Sequence, residues 1–347
     1  MKAVQLFGKE KIRVTDIEKP TYGKDELLLK IKAASICGTD VRMYKNGYQN
    51  VEADHPLTLG HEIAGIIEGV GAHVEQYQVG MRVAIAPNIG CGTCDQCVSG
   101  RTHLCEQYEA FGINLPGGFA EYMVIPAKAI RQGNVTLLAE DISLTEAALV
   151  EPFSCVLNGQ EIAGVYPGDT VLIIGSGPIG IMHAMLAFSQ GAYKVIMNDL
   201  HQERLEAAQK IVPDLITLSS DSLFENLMEE TNSKGVDLCI VAAPAPQAQE
   251  ASFEYMAMNG RLLFFGGLPK GKEVVSLNTN TLHYKQLRVF GCTRASLETY
   301  RTSLKLVGSG RVPLGDLITG TFLIDEFEQA LSKAERAVGL KNVILFD

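Results

Sequence analysis

Positive charge is in short supply: 30 lysines and arginines face 40 aspartates and glutamates, for a formal net charge of −10 at pH 7. Phosphate backbones are gripped by clustered Lys and Arg. No basic stripe runs along this chain, which argues against a nucleic-acid surface. A secretory leader is missing too, since Met1 to Val14 carries lysines throughout and lacks an apolar segment. Long apolar runs are scarce. Val171 to Phe188 is uncharged, but three glycines and Pro178 interrupt it, so strand, turn and helix explain it better than a membrane span. Internal repeats and low-complexity tracts are absent as well. These gaps lead us to expect a soluble, cytoplasmic chain with neither a membrane nor a nucleic-acid partner.

What is present points to two domains, because 347 residues exceed the roughly 250–300 at which a single core stops growing. Near the middle, V-L-I-I-G-S-G-P-I-G from Val171 to Gly180 runs from a β-branched stretch into a G-x-G-x-x-G spacing. The apolar stretch reads as a buried parallel strand. Gly175 permits the tight turn, Gly177 lets backbone approach a pyrophosphate, and Gly180 lets the next helix pack on the strand. The phosphates would rest on unpaired N–H groups at the helix N-terminus. A helix-like stretch, Ile181 to Gln190, and a second strand, Lys194 to Met197, follow; that strand leads to Asp199, 19 residues after Gly180, where a carboxylate can accept from an adenosine ribose. Packing glycines without a ligand are the bland alternative.

Regular alternation continues. Strands are predicted at Val171–Ile174, Lys194–Met197, Leu215–Leu218, Val236–Val241, Arg261–Phe265 and Leu287–Gly291, with helices over Gln202–Lys210, Leu223–Thr231 and Gln247–Met258. That pattern predicts a doubly wound parallel sheet of six strands. Ala242–Ala243, Phe265–Leu268 and Cys292–Arg294 would lie at carboxyl ends, toward a nicotinamide, unless they are simple strand ends. From Met1 to about Glu75, and again near Val79–Ala86, short strands with Gly, Pro and Asp punctuation predict a β-rich region; Leu27–Ala33 and Glu62–Val70 read as strands. A short helix is expected over Leu144–Leu149, interrupted afterwards by Pro152. The tail reads as helix at Thr302–Leu306, strand at Leu317–Leu323, helix at Glu326–Ala337 and strand at Asn342–Phe346, rejoining the first domain.

Four of the eight cysteines crowd into C-x2-C-x2-C-x7-C at Cys91, Cys94, Cys97 and Cys105. Four thiolates so close suit tetrahedral closure around one zinc, leaving no open position, hence a structural site. An iron–sulfur cluster also takes four cysteines. A second set is dispersed: Cys37 in S-I-C-G-T-D, then His61 and Glu62 in G-H-E, form an N/S/O group suited to zinc. A lone Cys before Gly is more often a small buried hydrophobe; His61-Glu62 reverses that reading. Glu62 and Glu151, in V-E-P, compete for the third place, and charge counting favours one carboxylate at a time.

Cys37-Gly38-Thr39-Asp40, Gly60-His61-Glu62, the four-cysteine lobe, Gly118-Phe119-Ala120-Glu121-Tyr122 and the glycine turn, in this order, resemble the zinc-containing medium-chain alcohol dehydrogenase family over nearly the whole chain. The resemblance implies an α/β chain with a β-rich GroES-like catalytic domain, 1–153 and 295–347, plus a doubly wound Rossmann NAD-binding domain, 154–294. It implies two zincs per chain and NAD held by Gly175, Gly177, Pro178, Ile179, Gly180, Asp199, Leu200, Arg204, Ala243, Gly266, Leu268, Thr293 and Arg294. Thr39 would take the substrate proton, with Arg42 where many relatives carry a relay histidine, and Asp40 is a candidate anchor for a zinc ligand. Glu151-Pro152 is similar to the polyol (sorbitol-type) and galactitol-phosphate branch, with Tyr44 and Arg294 as substrate contacts; Ala295 stands where that branch usually has tyrosine. Arg42, Lys45 and His55 are candidate cations for a substrate phosphate, or ordinary loop charges. The expected reaction is oxidation of a secondary alcohol of a polyol to a ketose, by a homo-dimer or homo-tetramer. An L-threonine 3-dehydrogenase-like enzyme is the alternative, and a non-catalytic zinc- and nucleotide-binding relative the remoter one.

Overall fold

The computed structural model describes all 347 residues, which fall into two compact units: Met1–Ser154 with Ala295–Asp347, and Cys155–Arg294. The first unit is β-rich. Lys2–Leu6 is the middle of a three-stranded sheet, flanked by Ile12–Asp16 and Leu57–Thr58. A seven-stranded sheet runs in the order Val135–Leu137, Arg82–Ile85, Glu62–Val70, Leu27–Ser35, Lys341–Leu345, Ile318–Leu323, with Tyr122–Ile125 also pairing with Leu27–Ser35. Leu27–Ser35 and Glu62–Val70 are nine residues each and buried along most of their length, with Lys30, Lys32 and Glu68 placed at the less buried positions. Their side chains meet Phe111, Phe119 and Phe327 in one core.

The tail enters this sheet directly. Ile318–Leu323 and Lys341–Leu345 pair in parallel, joined by the helix Phe327–Glu335. Lys341–Leu345 then pairs antiparallel with Leu27–Ser35, Val343 opposite Ser35.

In the second unit all six strands are parallel, ordered Ile216–Ser219, Lys194–Asp199, Thr170–Ile174, Val236–Val241, Met256–Phe264, Arg288–Gly291. This is the doubly wound sheet expected from the alternation. The helix Pro178–Ser189 is buried continuously from Gly180 to Ala187, apolar all round as a helix inside a domain must be.

Two elements differ from expectation. The helix predicted over Gln247–Met258 ends at Ala251, and Met256 already pairs with Val236 in the strand Met256–Phe264. Met256 is buried there, so sheet pairing and burial outweigh local helix preference. Pro152, expected to interrupt, sits in the first turn of the helix Val150–Ala163, where a missing N–H breaks no intrahelical bond.

Candidate active site

The four cysteines of the lobe converge, their sulfurs all within 4.8 Å of one another. Cys91 and Cys97 sulfurs lie 4.0 Å apart, and Cys94 and Cys105 sulfurs 3.8 Å apart. A tetrahedron with bonds of about 2.3 Å has edges of about 3.8 Å, so the spacing fits one zinc. Backbone aims at the sulfurs as it does at thiolates: Thr93 and Cys94 N–H groups donate to Cys91 at 3.4 and 3.3 Å, and Cys91 and Gln107 N–H groups donate to Cys105 at 3.2 and 3.3 Å. Donation from the Thr93 backbone, then its hydroxyl, pulls the Cys91 thiol down to about 5. Burial pushes Cys97 up to about 12, a penalty on bare charge that a divalent cation would remove.

The second set is assembled by the seven-stranded sheet. Cys37 caps the helix Gly38–Asn46, and its N–H donates to Asp40 Oδ2 at 2.9 Å. Glu62 opens the strand Glu62–Val70 and pairs with Ser35 two residues before Cys37. One donor atom each from Cys37, His61 and Glu62 lies within 4.8 Å of the others. Asp40 and Glu62 are fully buried and His61 nearly so. His61 Nδ1 faces Asp40 Oδ1 at 3.6 Å, beyond a hydrogen bond, and these two atoms and Glu62 Oε1 are buried without hydrogen-bond partners. Buried polar atoms without partners are costly, and a cation held by Cys37, His61 and Glu62 would satisfy the donor set. Burial opposes a proton on His61, but the Asp40 and Cys37 charges win and raise its pKa well above the usual value. Electrostatically, this is a place for positive charge.

Sequence reasoning missed Lys341. Its ammonium is buried and donates to Glu62 Oε2 at 2.6 Å and to the Ile36 carbonyl at 2.8 Å. Burial opposes its charge, yet the Glu62 carboxylate and then Cys37 hold its pKa above the ordinary value. A lysine opening the apolar run K-N-V-I-L was the signal available, since buried lysines need an anion.

The glycine turn has the geometry a dinucleotide site requires. Gly175 adopts φ +109°, a conformation that disfavours any other residue. A Cβ at Gly180 would overlap the Gly175 carbonyl oxygen, whereas one at Gly177 would meet nothing within 4 Å. The N-terminus of the helix Pro178–Ser189 is thus open beside Gly177, which caps it, with Pro178 and Ile179 in its first turn. Asp199 closes the next strand, with one oxygen accepting from both the N–H and the hydroxyl of Ser176, each at 2.8 Å, and the other accepting from the His201 N–H at 3.0 Å. Half-burial opposes ionisation, but these donors and Arg204 hold the carboxyl below its usual value.

The family models for the alcohol dehydrogenase GroES-like domain and for zinc-binding dehydrogenase match residues 23–134 and 178–309. Sorbitol dehydrogenase of Bacillus subtilis (strain 168) is 33% identical over 99% of this chain and 96% of its own length. The chain belongs to the zinc-containing medium-chain alcohol dehydrogenase family. L-threonine 3-dehydrogenase of Salmonella paratyphi B is 32% identical over the full length of both chains. Among solved structures, a zinc-binding dehydrogenase of Sinorhizobium meliloti 1021 bound to NADP superposes with a TM-score of 0.89, at 29% identity and 99% coverage of each chain. Zinc and a nicotinamide nucleotide are therefore the cofactors of this dehydrogenase, and no helix is long and apolar enough to cross a membrane.

The dehydrogenase does not bring every expected residue together. Glu151 is buried, but its carboxylate is not in the Cys37–His61–Glu62 group; burial and then the Glu151 charge raise the pKa of Tyr300. Thr39 Oγ1 accepts from Arg42 Nη2 at 2.9 Å. Lys45, in the last turn of the helix Gly38–Asn46, pairs with Glu335 at 2.9 Å, and the exposed His55 ring lies 3.3 Å from Asp54. Tyr44 packs against the core of the first unit. In the second unit the Ala243 N–H donates to the Ile174 carbonyl and the Gly266 N–H to that of Val241, at the carboxyl ends of their strands. Leu268 is partly covered, Thr293 and Leu200 are exposed, and Arg294 adopts φ +56° while its carbonyl accepts from Asn158.

Proposed function

We propose that this dehydrogenase oxidises a secondary alcohol of a polyol to a ketose, with NAD as hydride acceptor. The observation that carries the reading is the donor set of half-buried Cys37 with buried His61 and Glu62, and Thr39 two residues after Cys37 in the helix that Cys37 caps. Cys37, His61 and Glu62 are the residues we assign to the catalytic zinc, and Cys91, Cys94, Cys97 and Cys105 to the structural one. When bound, zinc supplies Lewis acidity toward an alcohol oxygen, and the nicotinamide supplies the hydride acceptor. Thr39 takes the proton from the substrate hydroxyl at Oγ1. Arg42, donating to that oxygen at an exposed position, withdraws electron density so that the threonine's own proton passes to solvent as the substrate proton arrives, the role we assign it in place of a relay histidine. Asp40 fixes the Cys37 backbone and faces the His61 ring, orienting both donors.

NAD is preferred over NADP in this reading. Asp199 is a clamped anion that would repel a 2′-phosphate and accept from a ribose hydroxyl, and the exposed Leu200 offers no compensating cation. Asp199→Ser combined with Leu200→Arg should reverse the ratio of kcat/KM for the two nucleotides, and equal efficiency with both in the wild type would contradict the assignment. Similarity to sorbitol dehydrogenase over almost the whole chain supports a polyol; similarity to L-threonine 3-dehydrogenase favours a second reading with L-threonine. The pairing of Lys45 and His55 with carboxylates favours an unphosphorylated substrate. Assaying NADH formation with sorbitol, xylitol, arabitol, galactitol, their phosphates and L-threonine tests all of this. Activity on threonine with none on any polyol would overturn the polyol assignment.

A further inference from the structure

We infer that Lys341 is a positioning residue for the Cys37–His61–Glu62 metal site, selecting which Glu62 oxygen is the donor and tying together the two segments that carry the ligands. The inference rests on the reading of that set as a zinc site. Three observations lead to it. The Lys341 ammonium is buried, so its contacts are not the optional ones of a surface lysine. It donates to Glu62 Oε2 and leaves Oε1 as the buried oxygen without a partner. It also donates to the Ile36 carbonyl, the residue immediately before Cys37. One cation therefore bridges the backbone leading into the thiolate and the side chain of the carboxylate.

Charge follows the same geometry. Cys37 and Glu62 together bring two negative charges when ionised, enough to neutralise a divalent ion and blunt its Lewis acidity. With Lys341 paired to Glu62 and the buried Asp40 carboxylate beside His61 counted, the site including the metal comes to about neutral. Without Lys341 the same groups would carry about −1, so the ammonium is what keeps this buried cluster from being anionic. Alone, the Glu62–Lys341 pair would be a buried salt bridge of doubtful net benefit to stability; its placement against two ligand-bearing segments gives it a purpose.

The test is a double-mutant cycle on full-length holoenzyme, read by zinc affinity in competition with a chromogenic chelator and by zinc content per chain. Lys341→Met should weaken the more labile of two zincs by about 10–100-fold, the range for a partner of a metal ligand, while the cysteine-lobe zinc is retained. Lys341→Arg should recover most of the loss. Glu62→Gln with Lys341→Met should lose clearly less affinity than the product of the two single losses, because Lys341 acts chiefly through Glu62, with only the Ile36 contact left to lose. If Lys341→Met fails to fold because it strands a buried carboxylate, the comparison of Glu62→Gln with the double variant still decides once thermal melting shows both folded; Glu62→Gln strands the Lys341 ammonium instead, and only the double variant strands neither charge. Wild-type affinity in Lys341→Met, no recovery with arginine, or losses that multiply in the double variant would overturn the inference. A wild-type chain that holds only one zinc would overturn the catalytic-zinc reading itself, and the inference with it.

Discussion

The cysteine lobe draws its donors from one short loop, Cys91 and Cys105 being 14 positions apart, whereas the second set depends on Lys341, 279 positions from Glu62. In the lobe, backbone N–H groups of neighbouring residues hold the sulfurs, and the donor set is cysteine alone, with no carboxylate or imidazole. In the other, mixed donors are held by a carboxylate, Asp40, and an ammonium, Lys341, in a sheet that must form first. Four thiolates close a coordination shell, while three mixed donors leave a place for substrate. A site that only stabilises can be built from a local loop. One that must position, polarise and release a reactant needs independent control of each ligand, which distant segments supply.

Three substitutions would break or sharpen this contrast. The largest effect is expected from His61→Ala, which should reduce turnover by about 10³-fold or more by removing the Lewis acid's support while NAD affinity, measured by nucleotide fluorescence, stays within about twofold of wild type. Normal kcat in that variant would mean that the set is not catalytic. Next, Cys97→Ser should cost one zinc per chain and lower Tm by an amount on the order of 10 °C, because binding energy at a closed site is folding energy; calorimetry beside metal analysis checks it. A stable Cys97→Ser chain with full metal content would erase the distinction between the two sites. Smallest is Asp40→Asn, which keeps the shape but removes the charge facing His61, with an expected loss of about 10–100-fold in affinity for the second zinc and none at the lobe.

Legibility tracked distance along the chain. The cysteine lobe and the glycine turn are local spacings, and both appear in the structure with the expected convergence and backbone form. The six parallel strands were readable because each is a short apolar run flanked by helical pattern. Cys37 and His61-Glu62 stood out as motifs, but their meeting is a product of strand register, Ser35 opposite Glu62, which no spacing encodes. The lysine at the head of the last apolar run hints at burial, but its partner is unreadable for the same reason: charge counting over Cys37, Glu62 and Glu151 leaves out a cation delivered by the tail. Gln247–Met258 misled because the pairing of Met256 with Val236 overrode a plausible helical pattern. Pro152 misled because its effect depends on which turn of a helix it occupies.

The separation of 279 positions between Glu62 and Lys341 also sets a clock during synthesis. At about 5–20 residues per second, a ribosome emits Lys341 on the order of tens of seconds after Glu62. The cysteine lobe, by contrast, is complete within seconds of its first sulfur emerging. The four sulfurs of the lobe are thus all synthesised early, whereas the Glu62 carboxylate has no ammonium to pair with until the tail strand Lys341–Leu345 has been made and has paired with Leu27–Ser35.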